Sequence, residues 1–342
     1  MIKSSMFKKG KVIIFILIIA FVDSCREDDF LKGYDRQALF AEPTQAELDA
    51  VRVDWNSRDL SPKNYTVENV LPTTDRSTLK IISFTVNGYK EYGALVIPDA
   101  PGPLPVRMYV GGFGIDAIVN SVSLRTDTQT GEPFIFAFPA LRGQALQIIV
   151  NDVGYSSRTS EGPRCDAFDG AADDVIAMLN GIVANEYVDE NRVSVRGGSR
   201  GATVAMLVGE RDKRIKGTIA VAGPWNMLEM TSIIENDRTY QCQFLQNLVD
   251  GNSTLSEARH KLIASSPVYF ASSLPKTQYH LAANDKIVPV SQGDELVKKM
   301  NEQGFSSKLE YYVYEGRDHS NIATSNEELN TRIEQFLSQV LK

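Results

Sequence analysis

Cysteine, histidine and tryptophan are scarce in this chain of 342 residues, which holds three, three and two of them. With no Cys-x-x-Cys spacing and no His-Glu-x-x-His, a structural zinc site is not indicated, and neither a metal nor a cofactor is expected. Basic blocks are missing beyond the extreme N-terminus, and the formal charge is −7, so nucleic acid is excluded as an expected partner. Internal repeats and low-complexity segments are missing too. The apolar run Val12–Val22 spans 11 residues, where a membrane span needs about 20. What is present is a hydrophobic content of 43%, enough for one large domain or two small ones.

Lys3, Lys8, Lys9 and Lys11 precede that apolar run, and small Ser24 follows it, the layout of an export signal. Cys25 comes directly after Val22-Asp23-Ser24. This setting is similar to a bacterial lipoprotein signal, in which residues 1–24 are removed and Cys25 is lipidated. Soluble secretion and a retained anchor are the alternatives. A single acylated end would tether a soluble body to the cell-envelope membrane without embedding it. The acidic Glu27-Asp28-Asp29 then reads as a solvated spacer. Cys165 and Cys242 remain, and in an exported chain they could pair or stay free.

Thr44 and Glu47 form a capping-box pattern ahead of Leu48, Val51 and Trp55, which predicts a helix over Thr44–Ser57. Leu79–Val86 and Tyr92–Ile97 read as strands joined at Asn87-Gly88, an antiparallel hairpin at one sheet edge. Strands are expected at Val106–Val110, Phe134–Ala140, Lys216–Ala222, Gln278–Ala282 and Leu309–Tyr314. Helices are expected at Ala171–Val183, with Asp173 and Asp174 in the first turn, and at Glu327–Leu341. Residues 225–263 look helical and polar, a candidate lid. Alternating strands and helices argue an α/β class with a mostly parallel sheet of about eight strands, helices on both faces.

Val193 and Val195 alternate as in a buried strand, while Ala202, Ala205, Met206 and Leu207 follow at helical spacing. Between them Gly197-Gly198-Ser199-Arg200-Gly201 matches Gly-x-Ser-x-Gly, a strand-to-helix turn that lifts its serine clear of the sheet. Ser199 is therefore the candidate nucleophile. The N–H of Arg200, at the helix start, is placed to stabilise an oxyanion. Serine needs a base. His260 lies on a charged helical face and His280 inside a strand, whereas His319 sits in a polar loop past the last strand and is the better base. Asp285, just past a strand end, is the orienting acid. Its rival Asp318 neighbours His319 in sequence, where the required hydrogen bond is rarely made. Ser199, Asp285, His319 is the chain order of an α/β-hydrolase.

With those residues in place, the stretch from Tyr65 to Lys342 resembles the α/β-hydrolase fold, most closely the catalytic domain of the prolyl oligopeptidase family. Ser266-Pro267-Val268-Tyr269, Asn284-Asp285-Lys286-Ile287-Val288-Pro289 and Gly316-Arg317-Asp318-His319 carry the likeness together with the serine motif. It implies Ser199, Asp285 and His319 as a triad, and a second oxyanion donor near Tyr109-Val110-Gly111-Gly112-Phe113. In one alignment that donor is Tyr109; in the other Val110 takes its place and a backbone N–H of Gly111–Gly114, such as Gly112, serves. Leu141-Arg142-Gly143-Gln144 also resembles acetyl xylan esterases and related carbohydrate esterases. The roughly 40 residues between Cys25 and the first strand are too few for even two propeller blades. The expected organisation is a signal at 1–24, a tether and helix at 25–62, and a catalytic domain at 63–342. The expected activity is hydrolysis of exposed esters, with acylated carbohydrate the favoured substrate. Peptide cleavage is the alternative, and a binding lipoprotein without catalysis is the reading from another class.

Overall fold

A computed structural model describes residues 30–73, 76–119, 127–150 and 153–342; Cys25 and the signal-like stretch before it lie outside them. Among the described residues twelve strands are formed: β1 Lys63–Pro72, β2 Ser77–Val86, β3 Tyr89–Pro98, β4 Leu104–Val110, β5 Asp116–Val119, β6 Ile135–Ala140, β7 Ala145–Val150, β8 Val153–Thr159, β9 Val188–Gly198, β10 Ile215–Val221, β11 Lys276–Ala282 and β12 Leu309–Tyr314. Nine of them make the main sheet, in the order β1-β2-β3-β6-β4-β9-β10-β11-β12. The pairs from β6 through β12 are parallel, and β1, β2 and β3 run antiparallel at the other side.

The sheet thus has one strand more than the eight expected. Without β1, its order is that of the α/β-hydrolase fold, with the hairpin about Asn87-Gly88 near the edge. β1 escapes sequence reading because Val67 and Val70 are exposed, so it shows no buried alternation. A second sheet, β5-β7-β8, was also not anticipated.

Among the described residues the α-helices are α1 Arg36–Leu39, α2 Gln45–Ser57, α3 Asp169–Asn185, α4 Arg200–Arg211, α5 Met227–Ile233, α6 Arg238–Tyr240, α7 Gln246–Val249, α8 Leu255–Ala264, α9 Ser291–Glu302 and α10 Glu327–Val340. Among the described residues no helix is long and apolar enough to cross a membrane.

Strand alternation sorts the apolar side chains onto two faces. Ile82, Phe84, Leu95, Val106, Met108, Val193 and Val195 point to one face and pack with α3 and α4 into the main core. On the other, Leu79, Ala94 and Phe138 meet Leu146 and Ile148 of the small sheet, and Ile219 and Val221 meet Ile333 and Phe336 of α10.

The capping box at Thr44 forms, with Glu47 returning to the Thr44 N–H. Trp55 and Arg58 then pin α2 to the start of α3: the indole donates to Asp169 at 2.7 Å, and Arg58 pairs with Asp169 and Asp173. Helix α3 begins at Asp169, so Asp173 and Asp174 lie beyond its first turn. Their partners are arginines, not the helix dipole: Asp173 meets Arg58 and Arg211, and Asp174 meets Arg142. The segment 225–263 is helical, as α5 to α8 with a π-turn at Gln241–Leu245. Cys242 in that turn is bridged to Cys165.

Candidate active site

The turn between β9 and α4 carries Ser199 at φ 52°, ψ −125°, a conformation L-residues rarely take. Close packing holds it there. A Cβ on Gly197 would fall 1.9 Å from the Gly201 carbonyl oxygen, and one on Gly201 would fall 2.1 Å from that of Val110. Only glycine fits at both positions, so the strand can reverse directly into the helix. The Ser199 N–H donates to Val221 O at 2.8 Å, which ties the turn to β10.

His319 arrives from the loop after β12. Asp318 shapes that loop by accepting from the N–H groups of Ser320 and Asn321, and is not turned to the imidazole. Nδ1 of His319 lies 2.7 Å from Asp285 Oδ2, and its Nε2 lies 2.9 Å from Ser199 Oγ. An ionised carboxylate only accepts, so Nδ1 carries the proton and Nε2 is left as the acceptor for the serine hydroxyl. The other oxygen of Asp285 accepts from the N–H groups of Ile287 and Val288, both at 2.8 Å. The Asp285 side chain is fully buried, whereas His319 keeps 19% exposure, so the ring is orientated from below and reachable from above.

The other two histidines stand apart from this chain of hydrogen bonds. His260 of α8 faces Asp54 of α2 at 3.2 Å. His280 is fully buried between Gln278 and Tyr314, and burial pushes its pKa down to about 3.

The loop Gly111–Gly114, after β4, passes close to the serine: a Cβ on Gly112 would lie 3.5 Å from Ser199 Cβ. Its carbonyls are held from the far side. Arg200 Nη2 donates to Gly111 O and Gly112 O, the latter at 2.9 Å, and Gln144 Nε2 donates to Gly114 O at 3.1 Å. In a planar trans peptide the carbonyl and the N–H point opposite ways, so the Gly112 N–H is turned away from Arg200. Tyr109 stacks on Phe138, with its hydroxyl 3.6 Å from where a Cβ on Gly198 would stand. The two roles of Arg200, a helix-start N–H and a side-chain clamp on a loop 88 residues away, were separable only in three dimensions. Gln144 likewise had no signal of its own beyond its place in Leu141-Arg142-Gly143-Gln144.

Arg142 is the anchor of that stretch. It donates to Asp174 and Asp166 and, at 2.5 Å, to the carbonyl of Gly170. Among the described residues, no group of three or more His, Cys, Asp or Glu side chains is placed to hold a metal ion.

This arrangement can run nucleophilic acyl chemistry: a hydroxyl hydrogen-bonded to an imidazole, with a carboxylate behind it. The model of the prolyl oligopeptidase family matches residues 166–342, more than half of the chain and the part that holds Ser199, Asp285 and His319. Among curated proteins no sequence match is found. Solved structures share the fold at low identity. Acetyl xylan esterase 1 from Thermoanaerobacterium sp. JW/SL YS485 superposes with a TM-score of 0.65 at 15% identity, over 90% of this chain and 99% of its own. The acetyl xylan esterase from Paenibacillus sp. R4 gives 0.60 at 17% identity, over 89% and 99%. Porphyromonas gingivalis dipeptidyl peptidase 4 gives 0.53 at 18% identity, over 85% of this chain and 37% of its own.

Proposed function

The chain belongs to the prolyl oligopeptidase family and is a serine hydrolase; from that premise we propose that it cleaves esters through an acyl-enzyme on Ser199. The observation that supports this most is the unbroken line of hydrogen bonds from Ser199 Oγ through His319 to Asp285. In this reading Nε2 of His319 takes the hydroxyl proton as Oγ attacks the ester carbonyl, and Asp285 stabilises the imidazolium that results. The N–H of Arg200 and a second donor, the Gly112 N–H or the Tyr109 hydroxyl, receive the developing oxyanion. The imidazolium then gives its proton to the departing alcohol oxygen. Water repeats the sequence to release the acid and restore Ser199.

Ester over amide is favoured because the structural likeness runs through 99% of each acetyl xylan esterase chain but only 37% of the dipeptidyl peptidase. An acylated carbohydrate is the substrate class we favour on that ground. Peptide cleavage remains the second reading, favoured by the family match itself. We further infer that the chain is exported and held by a lipid on Cys25. The lysine-led apolar run before Cys25 supports this, as does the Cys165–Cys242 bridge, which persists in oxidising compartments.

A fluorophosphonate probe should label the purified protein and fail to label Ser199→Ala. Turnover of 4-nitrophenyl acetate should exceed that of a prolyl 4-nitroanilide and fall at least about 10³-fold in Ser199→Ala and in His319→Ala. Faster, serine-dependent turnover of the anilide would restore the peptidase reading. No labelling of folded protein would point to a binding lipoprotein.

A further inference from the structure

Phe113 and Gly114 of the Gly111–Gly114 loop, with Arg200 next to the serine in the chain, line a cavity of about 280 Å³, and among the described residues every charged side chain lining it is an arginine. Arg142 is neutralised there by Asp166 and Asp174. Arg200, Arg164 and Arg238, which reach the cavity from α4, from the loop before α3 and from α6, have no carboxylate partner among the described residues. The chain as a whole is acidic, at −7, so this is not part of a generally basic surface.

Arg200 is only 3% exposed, and its Nε has no hydrogen-bond partner. The loop carbonyls take Nη2, and the Phe113 ring, 5.2 Å from the guanidinium carbon, offers a π face but no countercharge. Burial pushes the Arg200 pKa down to about 10, the more distant charge of Asp174 opposing it only in part. A guanidinium withdrawn from water in this way is relieved by an anion that enters beside it.

The walls are fixed. Gln243 donates to Arg164 O at 2.9 Å and accepts from the Ala167 N–H at 2.8 Å, and the Cys165–Cys242 bridge joins the same two segments. The loop bearing Arg164 and the turn next to Arg238 are thereby held facing one another.

We propose that this cavity is a substrate subsite for a carboxylate, so that the preferred esters carry a negative charge a few bonds from the carbonyl that Ser199 attacks. Guanidinium groups suit it, because their planar forks match a carboxylate in two parallel hydrogen bonds. The volume holds a carboxylate and a short carbon chain. The proposal rests on the serine-hydrolase reading of the neighbouring site.

Two matched pairs of esters test it: mono-4-nitrophenyl glutarate against 4-nitrophenyl pentanoate, charged on the acyl side, and 4-acetoxybenzoate against its methyl ester, charged on the alcohol side. At low salt the charged member of at least one pair should have the higher kcat/KM, by about tenfold or more, the size of a charge-assisted hydrogen bond. That ratio should fall toward one in the double variant Arg164→Ala, Arg238→Ala. Because it is taken within one variant, a general loss of activity cancels. No charged preference in either pair, or a preference that survives the double substitution, overturns the subsite.

If neither member of any pair is turned over, the esterase reading falls by itself, and calorimetric titration with glutarate decides the subsite. Saturable binding that glutaramide does not reproduce and the double variant loses supports it. Equal binding by the variant, or none by the native protein, overturns it.

Discussion

His280 lies in β11 with Nδ1 3.0 Å from the Tyr314 hydroxyl and Nε2 3.1 Å from Gln278 Oε1, out of water and close to the charges of Arg196 and Arg332. Those conditions, desolvation first, hold its pKa near 3. The folded pKa is therefore depressed below the free value of about 6.5, and the proton is taken up only on unfolding. Stability from this residue is complete above pH ~6.5 and is lost as pH falls toward 3, by about 2 kcal/mol at pH 5. Denaturant titrations between pH 7 and 4 should show a shallower loss for His280→Gln than for the native chain. Equal slopes would mean that the buried ring titrates normally. His319, which carries the proposed chemistry, differs in its surroundings and not in its residue type. Sequence separated the two by position alone, since a histidine inside a strand faces neighbours on both sides, while one in a loop past a strand end can turn over the sheet edge.

At the scale of elements, the bridge from Cys165 to Cys242 joins the loop before α3 to the π-turn after α6, closing 77 residues. Loop-closure entropy for that length corresponds to about 4.5 kcal/mol, an upper figure since measured effects are commonly smaller. Gln243 spans the same two segments through its side-chain amide. The double variant Cys165→Ser, Cys242→Ser should lose about 2–4 kcal/mol in chemical denaturation and weaken with added reductant no further. A native chain whose stability is indifferent to reductant would argue that the bridge is not formed. Sequence left this pairing open because contact between residues that far apart depends on how 225–263 folds back, and no local pattern records it. The serine turn is the opposite case. Gly197 and Gly201 are dictated by contacts within one strand-turn-helix unit and with the adjacent β4, so the motif was readable as it stands.

At the scale of the whole molecule, a lipid on Cys25 would hang the catalytic body from a membrane by its N-terminal segment, with α1 and α2 between anchor and sheet. Mass spectrometry of the mature N-terminus should find residues 1–24 removed and added acyl mass on Cys25. An intact N-terminus, or an unmodified Cys25, would exclude the anchor. The amino-acid sequence by itself determined the alternation of strands and helices, the sharp turn at Ser199, and the order of nucleophile, acid and base, because each follows from residue spacing within one element or its immediate flanks. It could not settle the ninth strand β1, whose outer residues are exposed, or the small sheet β5-β7-β8. Nor could it show that Arg200 and Gln144 clamp the Gly111–Gly114 loop, or that three arginines from separate segments meet in one cavity without a carboxylate. Those features belong to the tertiary structure, because burial and charge pairing are properties of side chains that the fold brings together from distant positions, and their energies arise only when water is excluded between them.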